Sequence, residues 1–366
     1  MNYGKPGNFF HGVGTTQWKK FLAFVGTVKG TDMKNISALK RSTWQERLNH
    51  STRHGDIPWS LLIGTMAVLV LVVVLAIAWM LWTESAGART KIGWDFFRPT
   101  LDATWNPAKD IYQAWPFIYG TLITSLVAII LAVPVSIGIA VFLAELCPER
   151  LRLLLNWLIE MLAAIPSVVY GLWGIFVFLP AVVTPIGKFL SSLSILPGFA
   201  GTLFTGPISE DGTSRLAAGL ILTIMVIPTI TAISRDVLLA IPNSQREAAM
   251  GLGSTRWEMI WQVLLPYGLS GILGAIILGL GRALGETMAV TMVMGNANEA
   301  TGSLLKAGYT MASLLALQFK EAVTPLHTDA MIELGLTLFA ITLILNLFAR
   351  FLVWQVARRT PQEARA

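Results

Sequence analysis

SQREAAMGLGSTRWEMIWQVLLPYGLSGILGAIILGLGRALGETMAV, residues 244–290, joins two unlike halves. Up to Pro266 the stretch is polar and compatible with helix. From Tyr267 it is a long apolar run with two charges, Arg282 and Glu286, in its interior. In the first half, Glu247, Ala248 and Ala249 favour a helix, and the alanines are small enough for another surface to approach closely. Gly251 and Gly253 punctuate that helix and permit a turn. Ser254 or Thr255 is placed to cap a second helix, with Glu258 three residues after Thr255. Pro266 stands where the apolar helix begins. A solvated helix-turn-helix between two apolar spans accounts for these features on its own.

Working outward, the composition sets the class. Of the 366 residues 54% are hydrophobic and 13% charged. That is more apolar surface than a soluble core hides, so an all-α polytopic membrane protein is expected. Six runs read as transmembrane helices: residues 58–82, 115–144, 157–180, 216–234, 267–295 and 331–351. They make one membrane domain, 58–352, between a basic extension, 1–57, and a basic tail, 353–366. Pro166 predicts a kink or local break near Ala163, and residues 181–214 read as an external loop or re-entrant turn. The extension carries nine Lys or Arg against three acids and has no signal-peptide pattern. Its Phe9-Phe10 and 18–25 stretches suit an anionic lipid surface or a flexible tail equally well.

Charge distribution predicts orientation. Of 27 Lys and Arg, eighteen fall in the termini and even-numbered loops and seven in the odd-numbered loops. The positive-inside rule then puts both termini in the cytoplasm, together with the 235–266 loop. The net charge of +6 therefore records topology, and no nucleic-acid partner is expected. The one cysteine, Cys147, excludes an internal disulfide or a cysteine cluster and reads as a buried or reduced thiol. His50 and His54 lack a third ligand, His11 and His327 are isolated, and no metal or other cofactor is expected. With no G-x-x-x-x-G-K-[ST] run and no Ser/His/Asp set, the chain is not expected to be an enzyme.

The two buried charges are the chemistry candidates. Arg282 lies fourteen residues beyond Gly268, roughly 21 Å along a helix and near mid-bilayer. Glu286 follows one helical turn later, within reach on the same face. One reading is an internal ion pair that fixes helix packing. The other is that Arg282 draws an oxyanion into a pore through its donor fork, while Glu286 neutralises it between cargoes and keeps binding weak. Gly271, Ala275, Gly279 and Ala283 form a small-residue stripe on the same helix, explained by close packing and available as a seam for a second subunit.

Glu247-Ala248-Ala249, Gly253, Leu265 and Pro266 match six positions of the E-A-A-x3-G-x9-I-x-L-P loop of ABC-transporter permeases, with Val263 in place of Ile. Residues 281–287 (GRALGET), 163–171 (AAIPSVVYG) and 118–122 (IYGTL) resemble the PstC family of phosphate permeases, and the likeness runs over about residues 58–352. The sister PstA family shares the Pro-Ser and Arg-x-x-Gly-Glu elements. The resemblance implies a type I ABC-importer fold in a bacterial inner membrane and phosphate as cargo. It also implies a heterodimer with a PstA-like permease, two PstB-like ATPase copies docked on the 235–266 loop, and an external PstS-like binding protein. ATP would be split by the partner chain. A permease for molybdate or sulfate, a secondary transporter relaying protons through Arg282 and Glu286, and a membrane scaffold without transport stand as alternatives.

Overall fold

The computed structural model describes residues 56–99, 104–192, 199–298 and 301–359. The readings on His11, His50, His54 and the aromatic stretches of the extension fall outside these residues. The chain divides into one unit up to Ala76 and another from Ile77. Helix α1 (Asp56–Glu84) begins in the first, where its sequence is apolar on every face, as suits a helix surrounded by lipid.

In the second unit a short helix α2 (Ala86–Lys91) leads to a two-stranded hairpin, β1 (Trp105–Asn106) and β2 (Ile111–Tyr112). Helical spans α3 (Trp115–Leu146) and α5 (Ser167–Ser192) follow, separated by α4 (Glu149–Ala164). Next come α6 (Phe199–Leu203), span α7 (Arg215–Leu239), α8 (Asn243–Gly251) and span α9 (Arg256–Gly285). Helices α10 (Met288–Val293), α11 (Met311–Gln318) and α12 (Pro325–Arg359) complete the chain. Six of these helices, α1, α3, α5, α7, α9 and α12, are long and apolar enough to cross a membrane.

Two expected spans are displaced. The third was read as 157–180, but α4 is a separate amphipathic helix with no buried residue, and the span is Ser167–Ser192. Ile165 and Pro166 are both extended (ψ 128° and 138°), so the proline ends one helix and starts another. Tyr170 ties the break by donating from its hydroxyl to the Leu162 carbonyl at 2.8 Å. The helical run therefore continues through 181–192, where a loop was expected. The fifth span was read as 267–295, whereas α9 starts at Arg256 and stops at Gly285.

Span α7 is the most buried of the six and lies against both α3 and α9. Lipid offers little hydrophobic drive for helices to associate, so close van der Waals fit decides this contact. The small-residue stripe of α9 supplies it. Ala275 and Ala283 are buried with Val226 and Ile230 of α7. A Cβ at Gly279 would stand 2.8 Å from both Val226 and Ile230. The stripe is thus consumed inside the chain, against α7, and is not available as a seam.

At the end holding the hairpin, Phe96, Trp105, Tyr112, Phe117 and Tyr309 form an aromatic cluster, with His327 stacked on Tyr112 at 5.4 Å. Burial there pushes the Tyr112 phenol above its ordinary range. At the opposite end of α7, Ala140, Val141, Leu238, Ile241, Ala249 and Leu264 pack beneath α8. Cys147 is buried beside that cluster as a free thiol.

Candidate functional site

In the 243–266 segment α8, the Gly253 turn and the Thr255 cap fold as the sequence suggests, while the long span already begins at Arg256. Helix α8 carries Glu247, Ala248 and Ala249; only Ala249 is buried, and Glu247 and Ala248 face outward. The chain then reverses at Gly253, whose φ of +86° is strained for any residue with a side chain. Thr255 caps α9 through a reciprocal box: its hydroxyl accepts from the Glu258 amide, and the Glu258 carboxylate accepts from the Thr255 amide. Pro266 lies inside α9 just after a widened turn, Ile260–Leu264, and its missing N–H is what the wider turn accommodates. Val263 and Leu265 are half-buried against the cluster under α8. The outward face presents Met250 and Leu252, the latter 89% exposed, beside Glu247 and Ala248. This is an exposed apolar knob beside a small-residue helix.

Arg282 sits half-buried one turn before the end of α9, and its Nη1 donates to the Thr229 hydroxyl at 3.3 Å. Glu286 does not pair with it: among the described residues no carboxylate comes within 4 Å of the Arg282 guanidinium. The expected i,i+4 geometry fails because the helix ends at Gly285 and Glu286 is extended (ψ 128°). Its carboxylate instead accepts from the Ala289 amide at 3.3 Å, at the start of α10.

What surrounds Arg282 is a cavity of about 1130 Å³ between α7, α9 and α12. Its polar lining is Thr229, Arg282, Asn346 and Arg350, and its apolar lining includes Ile277 and Leu278. Among the described residues no aspartate or glutamate lines it. Two guanidinium groups offer ten N–H donors between them, and among the described residues neither has an acidic partner, so the cavity favours an oxyanion over a cation. Its volume far exceeds one hydrated tetrahedral anion, which suits passage better than tight capture.

The sequence reading missed Thr229, Asn346 and Arg350. Arg350, at the expected end of the sixth span, was counted with the arginines that close the chain. The available signal was Asn346 four residues before it, a polar pair on one helical face of an otherwise apolar run.

Residues 136–360 match the family model described as the binding-protein-dependent transport system inner membrane component. The chain belongs to that family. This permease is 42% identical over 295 residues to the phosphate transport system permease protein PstC of Mesorhizobium japonicum, a match spanning 80% of this chain and 88% of that one. The PstC of Pasteurella multocida is 48% identical over 256 residues, 70% of this chain and 79% of the relative. In fold, the permease resembles a chain of a bacterial alginate ABC transporter solved with its alginate pentasaccharide-bound periplasmic protein. The TM-score is 0.53 at 16% identity, covering 80% of this chain and 94% of that one. Six apolar spans and family membership together make it a multi-pass protein of the bacterial plasma membrane.

Proposed function

We propose that this chain is the permease subunit of an ATP-driven phosphate importer, and that the cavity around Arg282 and Arg350 is its share of the translocation path. The observation that carries the anion is the donor lining without a carboxylate; phosphate, rather than molybdate or sulfate, rests on the named relatives. Membership of the family implies an ATPase and an external binding protein as partners. The finer assignment is to a PstA-like second permease, two PstB-like ATPases and a PstS-like donor. The face of Glu247, Ala248, Met250 and Leu252 is the ATPase dock, with Ala249, Gly253, Val263, Leu265 and Pro266 holding it in shape.

Glu286 keeps the competing role read from the sequence, but only through a change of conformation. Were the break at Glu286 to close into continuous helix, its carboxylate would come one turn from Arg282 and compete with a bound anion. The permease would then hold the anion in one state and release it in the other, with two conformations differing at a single hinge. A proton relay between fixed Arg282 and Glu286 finds no support, since the two stand on separate segments.

The test is uptake of labelled phosphate into vesicles containing the chain with its partners, with and without ATP, in competition with sulfate and molybdate. ATP-dependent uptake resistant to both is expected. Suppression by either competitor would reassign the cargo, and uptake driven by a proton gradient alone would end the importer reading.

A further inference from the structure

Helix α8 has little to hold it. Its one buried residue is Ala249, and the side chain of Arg246 ties it to the neighbouring helices. That guanidinium reaches four acceptors at once. Its Nε and Nη2 both donate to Glu145 Oε1, at 3.1 and 2.7 Å. Nη2 also donates to the Leu238 carbonyl at 2.8 Å, and Nη1 donates to the Ile241 carbonyl at 2.5 Å. Nη1 lies 3.4 Å from Asn243 Oδ1 as well. Glu145 belongs to the last, widened turn of α3; Leu238 closes α7, and Ile241 lies just beyond it. One side chain on α8 therefore pairs with the end of α3 and donates to carbonyls at and just beyond the end of α7, where the Leu238 carbonyl also accepts from the Ile241 amide at 3.3 Å.

Resting on the importer reading, we propose that the Arg246–Glu145 clamp is the strut through which movement of α8 on the ATPase displaces α3 and α7, making Arg246 a positioning residue for coupling. The apolar cluster beneath α8 is non-directional and tolerates sliding. A charge-assisted fork is directional: it holds only while α8, α3 and α7 keep one relative placement. Both side chains are nearly buried, with 17% of Arg246 and 10% of Glu145 accessible, so water does little to loosen the pair. Lysine carries the charge but cannot span the same set of acceptors with one planar group. The pair also forms one wall of a recess of about 280 Å³ with Met250, Met259 and Arg256. Small displacements of α8 are thus sterically open unless the clamp resists them.

The experiment compares wild type, Glu145→Gln and Arg246→Lys in vesicles holding the whole complex, measuring co-purified ATPase, ATP hydrolysis and labelled phosphate uptake. Glu145→Gln keeps the shape and the α7 carbonyl bonds and removes the charge pairing. Phosphate carried per ATP split is expected to fall about tenfold in both variants, within the range of coupling free energies, while ATPase stays bound and hydrolysis continues. A ratio equal to wild type in Glu145→Gln, including one where uptake and hydrolysis fall together, overturns the proposal. Should Arg246→Lys fail to assemble, the glutamine variant alone decides it. Wild-type complex that hydrolyses ATP but carries another anion counts against phosphate as cargo and leaves the clamp measurable with that anion.

Discussion

Arg282 is retained at a cost. An arginine in a membrane helix is disfavoured, by up to about 2.5–3.5 kcal/mol at the helix centre on insertion scales, and among the described residues no carboxylate offsets Arg282 near the end of α9. Arg282→Gln should therefore insert at least as well as wild type, so a transport defect in it reads as loss of the donor fork. A hydrogen bond to a charged group contributes about 1.5–3 kcal/mol, which corresponds to an uptake loss of roughly tenfold to a hundredfold. Arg350 is exposed at the edge of the same cavity, where water screens it, and Arg350→Gln should cost only about fivefold or less. Immunoblots of membrane fractions beside initial uptake rates would check both. Normal uptake by well-inserted Arg282→Gln would remove the cavity from the path.

Helix packing supplies a sharper contrast, because two glycines of α9 differ only in what faces them. Gly279 meets Val226 and Ile230, whereas a Cβ at Gly274 meets nothing within 4 Å. Gly279→Val should overpack the α7–α9 contact and cost about 1–3 kcal/mol; Gly274→Ala should be neutral or stabilising by up to about 1 kcal/mol through helix propensity. Thermal unfolding of the detergent-solubilised permease would separate them, and equal stabilities would mean that α7 and α9 do not touch as described. The spacing of small residues was legible in sequence, yet not which neighbour they fit, since that depends on the facing helix. Six spans were legible because apolar runs of that length have no other stable home. The third was misplaced because residues 157–164 (WLIEMLAA) are apolar enough to pass for a span, although Glu160 points out to meet Arg235 at 3.7 Å. Arg282 and Glu286 were visible as charges, but their pairing was not, because nothing local to Gly285 announces that the helix stops there.

For the molecule as a whole, the proposed ATPase dock and the charge bias are independent arguments for the same orientation. An ATPase partner in the cytoplasm requires α8 to face it, and eighteen of 27 Lys and Arg lie on the side that includes α8 under a six-span count. Two exposed apolar residues make the orientation measurable: Leu252 beside α8, 89% exposed, and Val323 before α12, 92% exposed. They sit on opposite sides of one membrane crossing, α9, so they should report opposite compartments. The single native thiol, Cys147, is buried and can be replaced by serine to give a silent background. In intact cells a membrane-impermeant maleimide should then label Val323→Cys and spare Leu252→Cys, with the pattern reversed in inside-out vesicles. Adding the ATPase should protect Leu252→Cys alone, because the dock covers one face of one loop. Labelling of Leu252→Cys from outside would invert the topology and remove the loop from reach of any cytoplasmic ATPase. Labelling from inside without protection would keep the orientation and move the dock off the exposed tip.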